Sequence, residues 1–158
     1  MSGEPDVIGS LADEFCLMGH AIRAALAPAV DSHGLLPGAI VVMMVLNTRQ
    51  PCRQVELAGE LSITPSGLSR HISELVTAGY VVRRPDQTDG RASLIELTAK
   101  GLDLLDRAHH SRATALANAL GDWDHDDVTD AVDVTRRLRT ALHAYAQTHA
   151  RESEPTHA

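Results

Sequence analysis

The chain has 158 residues, 44% of them hydrophobic and 22% charged, with a formal net charge of −7 at pH 7. That apolar mass supports a core of its own and argues against a disordered tail, and the scarcity of aromatic residues (Phe15, Tyr80, Trp123 and Tyr145) argues against a single-strand or RNA module built on base stacking. The longest apolar run, Ala39 to Leu46, is far too short to span a membrane; with two cysteines, Cys16 and Cys52, in no CxxC pair, and no leader pattern in MSGEPDVIGS, a cytoplasmic protein is expected.

In chain order, Ile8, Leu11, Phe15, Met18, Ile22 and Leu26 recur at steps close to three and four and predict a first helix from about Ile8 to Ala29, packed against another helix. DSHGLLPG, residues 31–38, reads as a loop, and a buried second helix follows to about Asn47 before TRQPCRQ breaks the pattern. VELAGELS, residues 55–62, predicts a short helix with Val55, Leu57, Ala58 and Leu61 inward. Thr64 then caps a further helix and Pro65 takes its first position, where a backbone amide would be unpaired anyway. Along it Leu68, Ile72, Leu75 and Val76 form an apolar stripe, with Ser66, Ser69, Arg70 and Ser73 opposite. A short helix, a tight connection and a second helix with a polar outer face are the layout of a helix-turn-helix.

Gly79 is placed to stop that helix. YVVRR and ASLIELT are strand-like and joined by the turn-rich PDQTDGR, so residues 80–97 read as a hairpin, a wing whose tip holds Asp86, Asp89, Gly90 and Arg91. Thr98 caps a long helix through Leu102, Leu105, Leu116 and Leu120. Asp124 to Asp127 open a last one through Val128, Val132, Leu138, Leu142 and Tyr145, their acids favourable at a helix start. Residues 151–158, RESEPTHA, read as a poorly ordered polar tail. The fold class expected is mainly α with a small β-hairpin wing.

Charge is uneven along the chain. Residues 1–52 carry two Arg against five acids, net −3; residues 102–158 carry six Arg against ten acids, net −4; residues 53–101 balance six cations, Arg53, Arg70, Arg83, Arg84, Arg91 and Lys100, against six acids. An acidic protein can still bind DNA through a face that concentrates its cations, because phosphate neutralisation is local on the scale of the Debye length.

The segment ELAGELSITPSGLSRHISELVTAGYVVRRPDQTDGRASLIELTAKG resembles the winged helix-turn-helix of the MarR family of bacterial transcription regulators, and the resemblance extends to the flanking helices. It implies a winged DNA-binding region at 35–101 and dimerisation helices at 1–34 and 102–150. It further implies a homodimer that reads a pseudo-palindromic operator in double-stranded DNA and acts as a repressor, with no cofactor required and no membrane contact. The family's Ser-Arg pair falls on Ser69 and Arg70, and Arg91 is the residue that would enter the minor groove, with Asp89 orienting it. The candidate DNA contacts are Arg53, Thr64, Ser66, Ser69, Arg70, His71, Arg83, Arg84, Asp89 and Arg91.

Members of the family respond to small organic molecules, peroxides or metal ions. Cys16 invites a peroxide reading, but the second-helix region GLLPGAIVV lacks the tyrosines of the family's peroxide sensors, and an inert core Cys16 is the preferred reading. Asp13, Cys16 and His20 share one helical face, and His109 and His110 on the fifth helix could complete a zinc site, a set chemically suited to zinc without a dense ligand motif. Cys16 and His20 are the effector-site candidates, with a small organic effector preferred to zinc. No nucleophile triad, phosphate loop or paired-acid constellation suggests an enzyme. A winged helix that binds only protein is the remaining competitor, and it would need neither Arg91 nor the hydroxyls of the recognition helix.

Overall fold

The computed structural model describes residues 6–30, 35, 38–89 and 92–152. Its helices are α1 (Val7–Val30), α2 (Ala39–Arg49), α3 (Gln54–Leu61), α4 (Pro65–Thr77), α5 (Ala99–Ala119) and α6 (His125–Glu152), with strands β1 (Cys52–Arg53), β2 (Val81–Pro85) and β3 (Ser93–Leu97). The described part of the tail, Arg151 and Glu152, continues α6, and the rest of it lies outside the described residues. Among the described residues no helix is long and apolar enough to cross a membrane.

The strands form an antiparallel sheet in the order β1-β3-β2, with Val81 opposite Leu97 and Pro85 opposite Ser93 along the wing. The third strand, β1, was not expected. It is two residues long, inside a stretch that reads as a break, and it exists because Cys52 and Arg53 pair with Ile95 and Leu94. The Gln50 side chain fastens the same edge, its Oε1 accepting from the Leu97 amide at 2.6 Å.

Two compact units make up the chain, one of Met1–Gly34 and Ala108–Gly121, the other of Leu35–Arg107 and Asp122–Ala158. One division falls inside α5, whose Leu104 and Leu105 are buried with the winged-helix core. That core is made by Met43, Leu46, Leu57, Leu68, Ile72, Leu75, Ile95 and Leu104, all fully buried. Val55 at 66%, Val76 at 36% and Leu102 at 41%, expected on apolar helix faces, are exposed. Helical angles explain each. Val55 and Leu102 stand two residues, about 200°, from the buried Leu57 and Leu104, and Val76 stands about 100° from Leu75.

Both ends of α4 are closed by hydrogen bonds. At its start, Thr64 stays extended and its Oγ1 accepts from the Gly67 amide at 3.1 Å, satisfying one of the donors a helix start leaves unpaired. The turn before it uses Ser62 at φ +53, a left-handed conformation unusual for serine. At the other end Gly79 takes φ +78, and the amides of Gly79 and Tyr80 donate to the carbonyls of Val76 (3.0 Å) and Leu75 (2.9 Å), the Schellman pattern. Asp124 and Asp127 cap α6 reciprocally, the Asp127 amide donating to Asp124 Oδ1 at 2.9 Å.

The first turn of α5 lies directly on the end of α4. A Cβ added to Gly101 would come within 2.2 Å of the Tyr80 carbonyl oxygen, so only glycine fits without backbone movement. Gly101→Ala is expected to lower the free energy of urea unfolding by about 1–3 kcal/mol, as overpacking against backbone does. Thr64→Ala, which removes one capping bond, should cost about 1 kcal/mol. Parental stability of Gly101→Ala would contradict this close approach.

Candidate nucleic-acid interface

The outer face of α4 is polar. Ser66, Arg70 and Ser73 are exposed and Ser69 is half-buried, so the expected stripe is presented to solvent. Arg70 has no acidic partner among the described residues. Thr64 is exposed but its hydroxyl is engaged as the cap, 3.2 Å from the Ser66 hydroxyl. His71 departs from this face. It is half-buried, a methyl at Gly38 would lie 3.8 Å from its Cε1, and its Nδ1 is buried without a hydrogen bond, so the ring faces the start of α2.

The wing's cations divide by what they already hold. Arg84 Nε lies 2.5 Å from Glu96 Oε1 on the neighbouring strand, a cross-strand pair. Arg83 is exposed and has no acidic partner among the described residues. Gly90 and Arg91 lie outside the described residues.

Arg53, expected as a DNA contact, is engaged within the protein. Its Nε and Nη2 donate to Asp86 Oδ2 at 3.1 and 2.7 Å, and its backbone amide donates to Glu56 Oε2 at 2.7 Å. One residue therefore opens α3 and clasps the base of the wing. Asp86 Oδ1 accepts from the Thr88 amide at 2.9 Å and the Thr88 hydroxyl at 2.7 Å. Asp86 is the one buried charged side chain of the described core, and Asp89, expected to orient Arg91, sits 3.5 Å from Arg53 Nη2.

The electrostatics follow from these bonds. The hydroxyl and amide of Thr88, then the Arg53 guanidinium, hold the Asp86 carboxyl far below the usual carboxylate range, against the smaller opposing effect of burial. The Asp86 hydrogen bond in turn pushes Arg53 up. Asp86 was not among the candidate site residues. Its signal in the sequence is Asp-x-Thr directly after a strand, a pattern in which the carboxylate bonds the backbone two residues on.

Outside the winged helix, α1 exposes Leu11, Phe15, Met18 and Ile22, and α6 exposes Val132, Leu142 and Tyr145. Cys16, read from the sequence as inert core, is exposed in the single chain. Asp13, His20, His109 and His110 are exposed as well, and among the described residues no group of three or more His, Cys, Asp or Glu side chains is placed to hold a metal ion. The zinc set is thus not assembled within one chain.

Residues 33–92 match the MarR family profile, a segment that contains the whole of α2, α3, α4 and β2 just described. The matched segment, well under half of the chain, is similar to the MarR family. An HTH-type transcriptional regulator of Bacillus cereus is 37% identical over 67 residues, which make up 42% of this chain and 44% of the relative, so the match spans less than half of that protein. The HTH-type regulator YkoM of Bacillus subtilis (strain 168) is 28% identical over 108 residues, 68% of this chain and 67% of the relative. Among solved structures, a mutant MarR from E. coli complexed with operator DNA superposes with a TM-score of 0.69 at 20% identity, covering 87% of this chain and 99% of that one. This likeness establishes the MarR fold.

The Asp86 cluster makes a pH prediction. A carboxylate whose pKa is lowered on folding adds stability that is complete above its unfolded value, about 4, and is lost as pH falls toward the folded one. Asp86→Asn should therefore be less stable than the parent in urea at pH 7, with the gap narrowing at pH 3. An equal gap at both values would mean the charge of Asp86 contributes nothing.

Proposed function

We propose that the chain is a sequence-specific regulator of transcription, a repressor, that binds double-stranded DNA as a homodimer on a pseudo-palindromic operator. The observation that carries this reading is the outer face of α4, where Ser66, Ser69 and Arg70 stand together at the start of a capped helix with the arginine unneutralised by any acid among the described residues. A helix of that kind fits the major groove, and its first turns bring side chains to base edges and phosphates. The likeness to MarR in complex with operator DNA and the names of the relatives support it.

Within this reading Arg70 meets a base edge or phosphate, Ser66 and Ser69 donate or accept nearby, and Arg83 meets the backbone. Arg91 retains the minor-groove role implied by the family resemblance. Arg53 holds the wing through Asp86 instead of touching DNA, and Arg84 is held to Glu96. The acidic remainder of the chain disfavours contact elsewhere on the surface and so directs DNA to this face. The apolar residues that α1 and α6 expose support the homodimer, since a second copy would remove them from water. Modulation by a small organic effector is part of the same proposal, and no cofactor is required by it.

A gel-shift and titration against the DNA upstream of the chain's own gene should show saturable binding, with log K falling against log salt by about 0.9 for each phosphate neutralised. Arg70→Ala should cost on the order of 1–3 kcal/mol if it pairs with a guanine edge, and should relax preference at a single position. Binding that ignores salt, or an Arg70→Ala variant with parental affinity, would refute the assignment.

A further inference from the structure

The carboxyl end of α4 is bound by the first residues of α5 through three successive carbonyl oxygens. Lys100 Nζ donates to Ala78 O at 2.8 Å, the Thr98 hydroxyl donates to Gly79 O at 2.7 Å, and the Thr98 amide donates to Tyr80 O at 3.0 Å. The Thr98 hydroxyl also accepts from the Gly101 amide at 3.1 Å, so the residue that starts α5 closes α4 as well. Two of these ties are close to the backbone and short. The third is a cation on a long side chain, whose Nζ also stands 4.7 Å from the centroid of the Tyr80 ring.

A helix ends with unpaired carbonyls and a partial negative charge, and a cation held there is favourable by both hydrogen bond and dipole. The Tyr80 ring adds an attraction for the same ammonium. Lys100 is, moreover, the single lysine of the sequence, beside thirteen arginines. An ammonium suits this place because it can meet one carbonyl and one ring face at once, whereas a guanidinium is shaped to meet paired oxygens.

We propose that Lys100 is a positioning residue for DNA recognition: its ammonium fixes the carboxyl end of α4, and hence the angle at which Ser69 and Arg70 are presented, without touching DNA itself. The proposal rests on the DNA-binding reading above. It also revises the role of the last cation in the central segment, which in isolation looks like one more phosphate contact. The side chain's bonds are made within the protein, so its loss changes how the recognition helix is held and leaves the number of phosphates neutralised as it was.

The test compares the parent with Lys100→Met, Lys100→Arg and Arg70→Ala, using the full chain, the upstream DNA and amide hydrogen exchange in the free protein. Lys100→Met should weaken operator binding roughly threefold to tenfold at an unchanged slope of log K against log salt. Exchange of the Gly79 and Tyr80 amides should quicken in Lys100→Met, and Lys100→Arg, which keeps a cation at the helix end, should recover part of both losses. Parental affinity in Lys100→Met while Arg70→Ala is impaired would overturn the proposal, and so would a slope smaller by about 0.9, the mark of a direct phosphate contact. If no variant, Arg70→Ala included, alters DNA binding, the DNA-binding reading itself fails; unchanged exchange at Gly79 and Tyr80 would then still refute the role of Lys100.

Discussion

The carboxylate of Asp86 takes two hydrogen bonds from Arg53 on one oxygen and two from Thr88 on the other, and through them the wing is joined to the helix-turn-helix. Arg53 belongs to β1 and immediately precedes α3, while Asp86 follows β2. The sheet aligns β2 with β3, and the loop after β2 carries turn bonds of its own, among them Asp86 N to Ala92 O and Ala92 N to Asp89 O. With Arg53 in place, the loop's first residue is tied to the segment that opens α3. A buried carboxylate is costly unless its oxygens are bonded, and here both are, which makes the contact directional as well as favourable.

From that joint the rest of the recognition surface can be followed. α3 leads through the left-handed Ser62 to Thr64, whose hydroxyl sets the start of α4; the Schellman turn at Gly79 and the first turn of α5 set its end. The described central cations then fall into two groups. Arg53, Arg84 and Lys100 are engaged by Asp86, Glu96 and the Ala78 carbonyl, and Arg70 and Arg83 have no acidic partner among the described residues. A balanced segment can therefore present positive charge outward, because part of its acid is consumed by cations that serve the fold.

Much of this was legible in the sequence because the signals are local. Thr64-Pro65 and Gly79 mark the two ends of α4 by capping chemistry, and the switch from helical to alternating period marks the wing. What was not legible depends on partners distant in the chain. Arg53 lies thirty-three positions from Asp86 and reads as a free cation until the fold brings them together. Lys100 reads the same way until the carbonyl of Ala78 is placed beside it. The two residues of β1 have no period to detect, and only pairing with β3 makes them a strand. His71 sits beside Arg70 in sequence, yet a step of about 100° around the helix carries it from the outer face to the edge facing α2.

The claim that Arg53 acts through Asp86 and not on DNA is tested most directly by a double-mutant cycle on operator affinity, with Arg53→Ala, Asp86→Ala and both together, each titrated over a range of salt. If the two residues act as one joint, either single change weakens binding to a similar degree and the double change adds little, since neither residue has anything left to hold once the other is gone. The slope of log K against log salt should stay at the parental value in Arg53→Ala. Additive losses, with the slope smaller by about 0.9 in Arg53→Ala and parental in Asp86→Ala, would show Arg53 on a phosphate and would contradict the joint.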